Sequence, residues 1–130
     1  MIKGSRPSRT LSLMVAVMLA LGLLVAMAGT GLAARQRVRA GHNSWRPDHL
    51  FITRADTVVW RNPDDRRHNV VAYGGGWRFN RTLDPGESAR RVFDEVPANG
   101  DPFLYRCTLH STIDDGLCHG MCGLIHVFAD

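Results

Sequence analysis

The stretch YRCTLHSTIDDGLCHGMCGLIHV, residues 105–127, holds all three cysteines of the 130-residue chain, three of its six histidines and a methionine. Sulfur and imidazole donors at this density predict a metal site, a disulfide, or both. Cys107 and His110 are three residues apart at the end of the strand-like segment FLYRC, so one short loop can direct both at one ion. Met121 follows on the far side of that loop.

Short strands are predicted through the rest of the chain. Apolar runs at residues 50–52 and 58–60, and the segment HNVV at residues 68–71, are separated by turn signals such as NPDD, GGG and DPG. Five or more such strands, with no helical period of useful length, predict an all-β antiparallel sandwich or barrel. The predicted core residues are Ile52, Val58, Trp60, Val70, Phe79, Phe93, Phe103, Tyr105, Ile125 and Val127.

The N-terminal residues 1–33 predict an export signal that is not part of the fold. Three basic residues precede an apolar run over about residues 11–28, and small residues follow. That order is typical of a secretory signal peptide, with cleavage after Ala33 or after Ala28. An uncleaved anchor is the alternative, because roughly 18 apolar residues can span a bilayer. Either form predicts an exported domain, residues 36–130, in the periplasm, outside the cell or on the outer face of the cytoplasmic membrane.

The exported domain is predicted to be nearly neutral. The chain has 16 basic residues, and three of them lie in the signal, which leaves 13 arginines against 12 acidic residues and a net charge of +1. Along the sequence these arginines are interleaved with acids. The sequence therefore predicts no nucleic-acid partner.

A copper ion that carries single electrons needs ligands that suit both Cu(I) and Cu(II). Two imidazoles, one thiolate and a weak axial thioether meet that requirement. His68, Cys107, His110 and Met121 supply this set, with His68 at the start of the HNVV segment, where a neighbouring strand can deliver it. Taken singly, each side chain also reads as an ordinary surface or core residue, and it is their joint order and spacing that favours a metal site.

The order W-x-N, H-N-V-V, G-E-S, Y-x-C-x-x-H and M-x-G-x-I-x-V resembles the plastocyanin and amicyanin branch of the cupredoxins, the blue copper proteins. The resemblance covers residues 38–127. It implies a Greek-key β-sandwich of about eight strands, with one copper ion per chain under the loops at one end. It also implies that His68, Cys107, His110 and Met121 are the copper ligands and that Asn69 ties the two ligand loops together.

One segment departs from the family pattern. Ten residues separate His110 from Met121, where the family has only a handful, and this longer loop contains Cys118. A disulfide between Cys118 and Cys122 is expected if the chain turns there, since free thiols oxidise outside the cell. The alternative is a binuclear copper centre on Cys118, Cys122 and His126, which would leave Cys107 without a role. The other histidines, His42, His49 and His119, are expected to face solvent.

The predicted function is a carrier of single electrons and not an enzyme. No His-x-His pair or second domain is present to build further copper sites, and no small-molecule substrate is predicted. A monomer is expected to dock weakly with redox partner proteins near His110, where Leu109 and Ile113 can form an apolar patch, and to meet a membrane only if the N-terminal segment is retained. The alternative class is a copper-binding protein for delivery, storage or sensing.

Overall fold

A computed structural model describes residues 31–130, in which Ala33–Asp130 form one compact unit. The predicted signal therefore lies, apart from its last residues, outside the described residues. Within residues 31–130 no helix has the length and apolar character needed to cross a membrane.

Nine strands make up this unit, where the sequence predicted about eight. Their bounds are β1 Arg35–Gly41, β2 Ser44–Arg46, β3 His49–Thr53, β4 Thr57–Arg61, β5 His68–Gly74, β6 Asn80–Leu83, β7 Ser88–Val92, β8 Phe103–Asp114 and β9 Leu117–Phe128. The three-residue β2 folds back on β1 through His42 and Asn43, which both have positive φ angles.

The strands form two sheets that confirm the predicted β-sandwich. One sheet has the order β2-β1-β4-β7 and the other the order β3-β9-β8-β5-β6. Most pairs are antiparallel, but β1 pairs with β4 and β3 pairs with β9 in parallel. Both parallel pairs join strands that are not neighbours in the chain, as expected when the chain crosses between sheets.

The core lies between the sheets and is built by alternation. Every second side chain is buried along β4, over residues 103–107 of β8 and over residues 121–127 of β9, which is the pattern of strands with one face on a core. Of the ten predicted core residues, nine are buried and Phe79 is partly buried. Trp45 and Trp77 are core residues that the sequence analysis did not name.

A close approach between β8 and β9 fixes the register on which the site depends. Tyr105 stands opposite Gly123, and its ring occupies the space that any side chain at position 123 would need. A β-carbon there would lie 2.2 Å from the ring. Gly123 therefore lets the ring of Tyr105 lie against the backbone of β9. Tyr105 precedes Cys107 by two residues on β8.

Residues 111–120 form a two-stranded ribbon, where the sequence analysis expected an enlarged loop. Strands β8 and β9 continue pairing to Asp114 and Leu117. Between them, Asp115 and Gly116 have φ angles of 47° and 78°. Two successive positive φ angles at Asp-Gly are typical of the tight type I′ turn, whose twist matches that of the flanking strands.

Replacing Trp60 with Ala should destabilise the metal-free domain by about 3–5 kcal/mol. Trp60 has no exposed surface and packs against Trp77, Phe79 and Tyr105, so its removal leaves a large cavity. Urea unfolding followed by far-UV circular dichroism measures the change. Phe128→Ala is the matched control, because Phe128 is 53% exposed and its loss should cost less than about 1 kcal/mol. Equal losses in both variants would contradict this assignment of the core.

Candidate metal centre

The three predicted donors His68, Cys107 and His110 come together in the structure. His68 opens β5, while Cys107 and His110 lie in the adjacent strand β8. Their donor atoms all lie within 4.8 Å of one another. In the part of the chain that the structure describes, this is the one group of three or more His, Cys, Asp or Glu side chains placed to hold a metal ion.

The donor atoms are spaced as ligands of one ion. The sulfur of Cys107 lies 3.4 Å from Nδ1 of His110 and 3.8 Å from Nδ1 of His68. Histidine nitrogen and cysteine sulfur bind a first-row metal such as zinc at about 2.0–2.3 Å, so two ligands of one such ion stand roughly 3.5–4 Å apart. Two imidazoles and one thiol therefore fit a single metal that accepts mixed nitrogen and sulfur ligands.

The three donors differ in their access to solvent. His68 and Cys107 have no exposed surface, whereas His110 is half-buried. A site with two sealed ligands and one that reaches the surface excludes bulk water but leaves one route to the outside. That route runs through the imidazole of His110.

Met121 lies in β9, opposite the segment of β8 that carries Cys107 and His110. The ladder between β8 and β9 pairs Arg106 with Cys122 and then Ser111 with Gly120. The four residues 107–110 of β8 thus bulge opposite the single residue Met121. Its side chain has no exposed surface and lies on the inward row of β9. Burial and register place Met121 beside the segment that carries Cys107 and His110.

Asn69 links the two ligand segments, as the family resemblance implied. Its side-chain oxygen accepts a hydrogen bond of 2.7 Å from the backbone N–H of Thr108. Its side-chain amide donates to the Thr108 hydroxyl at 2.6 Å. The backbone N–H of Asn69 also points at the sulfur of Cys107, at 3.5 Å. A donor at the sulfur stabilises the thiolate, the form of cysteine that binds metals.

Hydrogen bonds among its own residues and Arg106 hold the short loop from Cys107 to Ser111. The hydroxyl of Ser111 donates to the carbonyl of Cys107 at 2.5 Å. The guanidinium of Arg106 donates to the carbonyl and the hydroxyl oxygen of Ser111, each at 3.2 Å. These bonds satisfy backbone groups that the bulge removes from the ladder, and they help to hold the spacing between Cys107 and His110.

A carboxylate behind His68 is a site residue that the sequence analysis missed. Oδ2 of Asp64 lies 3.0 Å from Nε2 of His68, on the side of the ring away from Cys107. This contact favours the tautomer with hydrogen on Nε2 and leaves the Nδ1 lone pair directed at the other donors. The hydrogen bond with His68 is also the main reason that the pKa of Asp64 is lowered.

Asn62 explains how Asp64 reaches His68. It is fully buried, and its side-chain amide donates to the carbonyls of Arg66 and Leu83 at 2.7 and 2.9 Å. Its side-chain oxygen accepts the N–H of Asp64 at 3.0 Å. One buried amide thereby shapes the whole connection between β4 and β5. The only sequence signals were the turn composition NPDD and the spacing of four residues from Asp64 to His68.

The pKa of His110 is lowered from its ordinary value. Desolvation is the largest cause, and the nearby His68 and Arg66 add to it. Both effects disfavour the imidazolium. The lowered pKa favours the neutral imidazole, which is the form that binds a metal ion.

The expected disulfide between Cys118 and Cys122 is present. Both residues lie in β9, yet their Cα atoms are 6.1 Å apart, whereas four residues of extended strand span about 13 Å. The chain turns sharply between them at Gly120, whose φ is 98°. A β-carbon at Gly120 would lie 2.5 Å from the carbonyl oxygen of His110. Glycine is therefore needed for the backbones of β8 and β9 to come this close.

The disulfide excludes the binuclear alternative for this state of the protein. Cys118 and Cys122 are joined to each other and offer no thiolate. His126 lies on the outer row of β9, where its ring stacks on Phe51 with centroids 4.7 Å apart. The remaining histidines, His42, His49 and His119, are exposed as expected.

Solved structures of similar architecture include an amicyanin, a purple cupredoxin and a copper-containing nitrite reductase. A mutant of amicyanin in its reduced state is 20% identical, with a TM-score of 0.55 over 79% of this chain and 88% of that chain. A purple cupredoxin from Nitrosopumilus maritimus is 23% identical, with a TM-score of 0.54 over 72% of this chain and 99% of that one. A copper-containing nitrite reductase from Thermus scotoductus is 26% identical, with a TM-score of 0.57 over 72% of this chain and 22% of that chain.

No family model and no curated protein matches the sequence. The structural similarities nevertheless agree with the two sheets and nine strands described above. The chain therefore has a cupredoxin-like fold.

Replacing Asp64 with Asn should weaken Cu(II) binding about 10- to 100-fold, the usual effect of losing a partner of a ligand histidine. The amide keeps the shape but lacks the charge that favours hydrogen on Nε2 of His68. Competition titration against a chelator measures the affinity. Asp65→Asn is the control, since Asp65 is the next residue, is exposed and is not hydrogen-bonded to His68, whose partner is Asp64. If the two variants bind copper equally well, Asp64 does not orient His68.

Proposed function

We propose that the domain is a type 1 copper protein that carries single electrons between redox partners. The observation that carries this proposal is the cluster of His68, Cys107 and His110, whose two imidazole nitrogens lie 3.4 and 3.8 Å from one sulfur. When bound, copper would supply the one-electron couple between Cu(I) and Cu(II). The protein would supply a ligand set acceptable to both states.

The chain's own residues set the properties that such a carrier needs. Asp64 orients His68, Asn69 donates to the sulfur of Cys107, and the Arg106–Ser111 contacts hold the loop. Because these bonds hold the donor side chains from the protein side, the proposed ligands need little rearrangement when the charge of the ion changes. Small rearrangement favours fast electron exchange.

Electron entry and exit are proposed through His110. Its ring is half-buried, and the apolar side chains of Leu109, Ile113 and Leu117 are 55%, 41% and 65% exposed on the same loop and ribbon. Exposed apolar patches of this kind mark interaction sites. We expect a redox partner protein to dock there weakly, with the domain itself a monomer.

We further propose that the domain works outside the cytoplasm. The support is the sequence of residues 1–33, which has the basic, apolar and small-residue order of a signal peptide. The disulfide between Cys118 and Cys122 agrees with an oxidising compartment. Anchoring by the N-terminal segment itself would require that the apolar run be retained.

Copper delivery or storage is the second candidate, and burial argues against it. His68 and Cys107 have no exposed surface, so copper could not pass to an acceptor by stepwise ligand exchange at either residue. The nitrite reductase among the similar structures is an enzyme, but this chain matches 22% of its length. Residues 31–130 contain one donor cluster, which suits a carrier better than a reductase.

Replacing Cys107 with Ser should abolish an intense absorption band near 600 nm in the Cu(II) protein, because that band is charge transfer from the cysteine sulfur. The unchanged protein should bind one copper per chain, measured by metal analysis. His126→Ala is the matched control, since His126 lies outside the cluster and should leave the band in place. A blue Cys107→Ser protein would contradict the assignment of Cys107 as a copper ligand. If the protein without substitutions binds copper but is pale, delivery or storage is favoured instead.

Replacing Met121 with Leu should leave a blue, copper-loaded protein with a raised reduction potential. The axial thioether is a weak ligand, and its loss destabilises Cu(II) more than Cu(I). Each rise of about 59 mV corresponds to a tenfold loss of Cu(II) affinity relative to Cu(I). Cyclic voltammetry measures the shift, and Met121→Gln, with a harder donor, should shift the potential downward. An unchanged spectrum and potential in both variants would mean that another group holds the axial position.

A further inference from the structure

Arginines that are scattered along the sequence converge on one face of the fold. In β1 the residues Arg35, Arg37 and Arg39 are exposed, and they alternate with side chains that are buried or partly buried. Successive side chains of a strand point to opposite faces. All three guanidinium groups therefore project from the outer face of the four-stranded sheet.

Strand pairing adds three more arginines to the same face. Arg39 stands opposite Arg46 of β2 on one side and Arg61 of β4 on the other. Arg37 stands opposite Val59, which in turn pairs with Arg90 of β7. All six arginines are exposed. The arginine face is defined here as Arg35, Arg37, Arg39, Arg46, Arg61 and Arg90.

The arginine face has no acidic counterpart on its own strands. The sequences of β1, β2, β4 and β7 are RQRVRAG, SWR, TVVWR and SARRV, and none contains Asp or Glu. Among residues 31–130, the ion pairs to arginine involve Arg54 and Arg67, which lie elsewhere. Residues 1–30 contain no acidic residue that could serve as a partner.

Folding alone does not account for this arrangement. Like charges directly opposite each other on neighbouring strands destabilise a sheet, and Arg46, Arg39 and Arg61 stand in one such row. Four of the six, Arg35, Arg37, Arg39 and Arg61, also line one shallow depression. An anionic surface bound across them would relieve the repulsion and accept bidentate hydrogen bonds from the guanidinium groups.

We propose that the arginine face binds the anionic headgroups of a lipid bilayer. Phosphate groups spread over a surface match six cations spread over an open sheet, and each basic residue near such a surface strengthens attachment. The sequence favours a membrane, because β1 begins seven residues after the apolar run of residues 11–28 ends. Seven residues reach at most about 25 Å, so a retained run would keep the face close to the bilayer.

Other polyanions fit the face less well. The outward side chains of these four strands include no aromatic ring, and single-stranded nucleic acids are held largely by stacking on such rings. The metal centre does not compete for this face. His68, Cys107, His110 and Met121 all belong to the five-stranded sheet, so the domain can lie on a membrane and keep His110 accessible.

The test uses the domain Ala33–Asp130, which contains all nine strands and the core and lacks the apolar run. Its sedimentation with vesicles of phosphatidylglycerol and phosphatidylcholine is compared with that on phosphatidylcholine alone. Binding should require the anionic lipid and weaken as salt shortens the range of charge interactions. The face variant Arg37→Gln/Arg39→Gln/Arg61→Gln should bind at least about tenfold more weakly, since each arginine contributes about fivefold.

The matched control removes three charges elsewhere. Arg54→Gln/Arg67→Gln/Arg81→Gln changes exposed arginines outside the four-stranded sheet and should lower binding less than about threefold. Equal losses in the two variants would overturn the proposal by showing a response to net charge alone. So would the absence of binding to anionic vesicles at low salt. Binding to soluble heparin without binding to vesicles would instead assign the face to a soluble polyanion and reject the lipid.

Discussion

Strand β8 is hydrogen-bonded to β5 on one side and to β9 on the other, and this double pairing is the constraint on which the metal centre depends. The pairing with β5 brings His68 to the sulfur of Cys107. The pairing with β9 sets Met121 against the bulge that contains Cys107 and His110. Neither contact involves residues adjacent in the chain, so the site is complete only when the five-stranded sheet has formed.

Burial of polar donors is the second condition that the fold must meet. A buried imidazole or amide is costly unless its hydrogen-bonding groups are satisfied. His68 and Asn62 are both fully buried, and both are hydrogen-bonded to the loop between β4 and β5. Asn62 accepts the backbone N–H of Asp64, and the carboxylate of Asp64 accepts a hydrogen bond from His68. The remaining nitrogen of His68 is left for the metal. A polar network that stabilises a turn thus also aims a ligand.

The sequence predicted those features of the structure that leave a pattern along the chain, and it did not predict those that depend on contacts between distant segments. The donors His68, Cys107 and His110 were predicted to lie together because their joint spacing is unusual, and the core was predicted because strands alternate. The ribbon was missed although Asp115-Gly116 is a tight-turn signal, since the segment was interpreted as an insertion in a short loop. Asp64 could not be assigned without the buried Asn62 contacts. In RQRVR the period of two was visible, but Arg61 and Arg90 join that face only through strand pairing.

The ten residues between His110 and Met121 lengthen the chain without lengthening the site. What matters for the ligands is the distance between the two ends of the insertion, and both ends are fixed. Ser111 pairs with Gly120 at the base of the ribbon, and the bond from Cys118 to Cys122 holds the turn beside Met121. The additional residues form a two-stranded ribbon with a tight turn, and this ribbon carries exposed apolar side chains. The insertion therefore changes the surface around His110 that a partner would contact. The spacing of the donor residues is still set by the pairing of the β-strands.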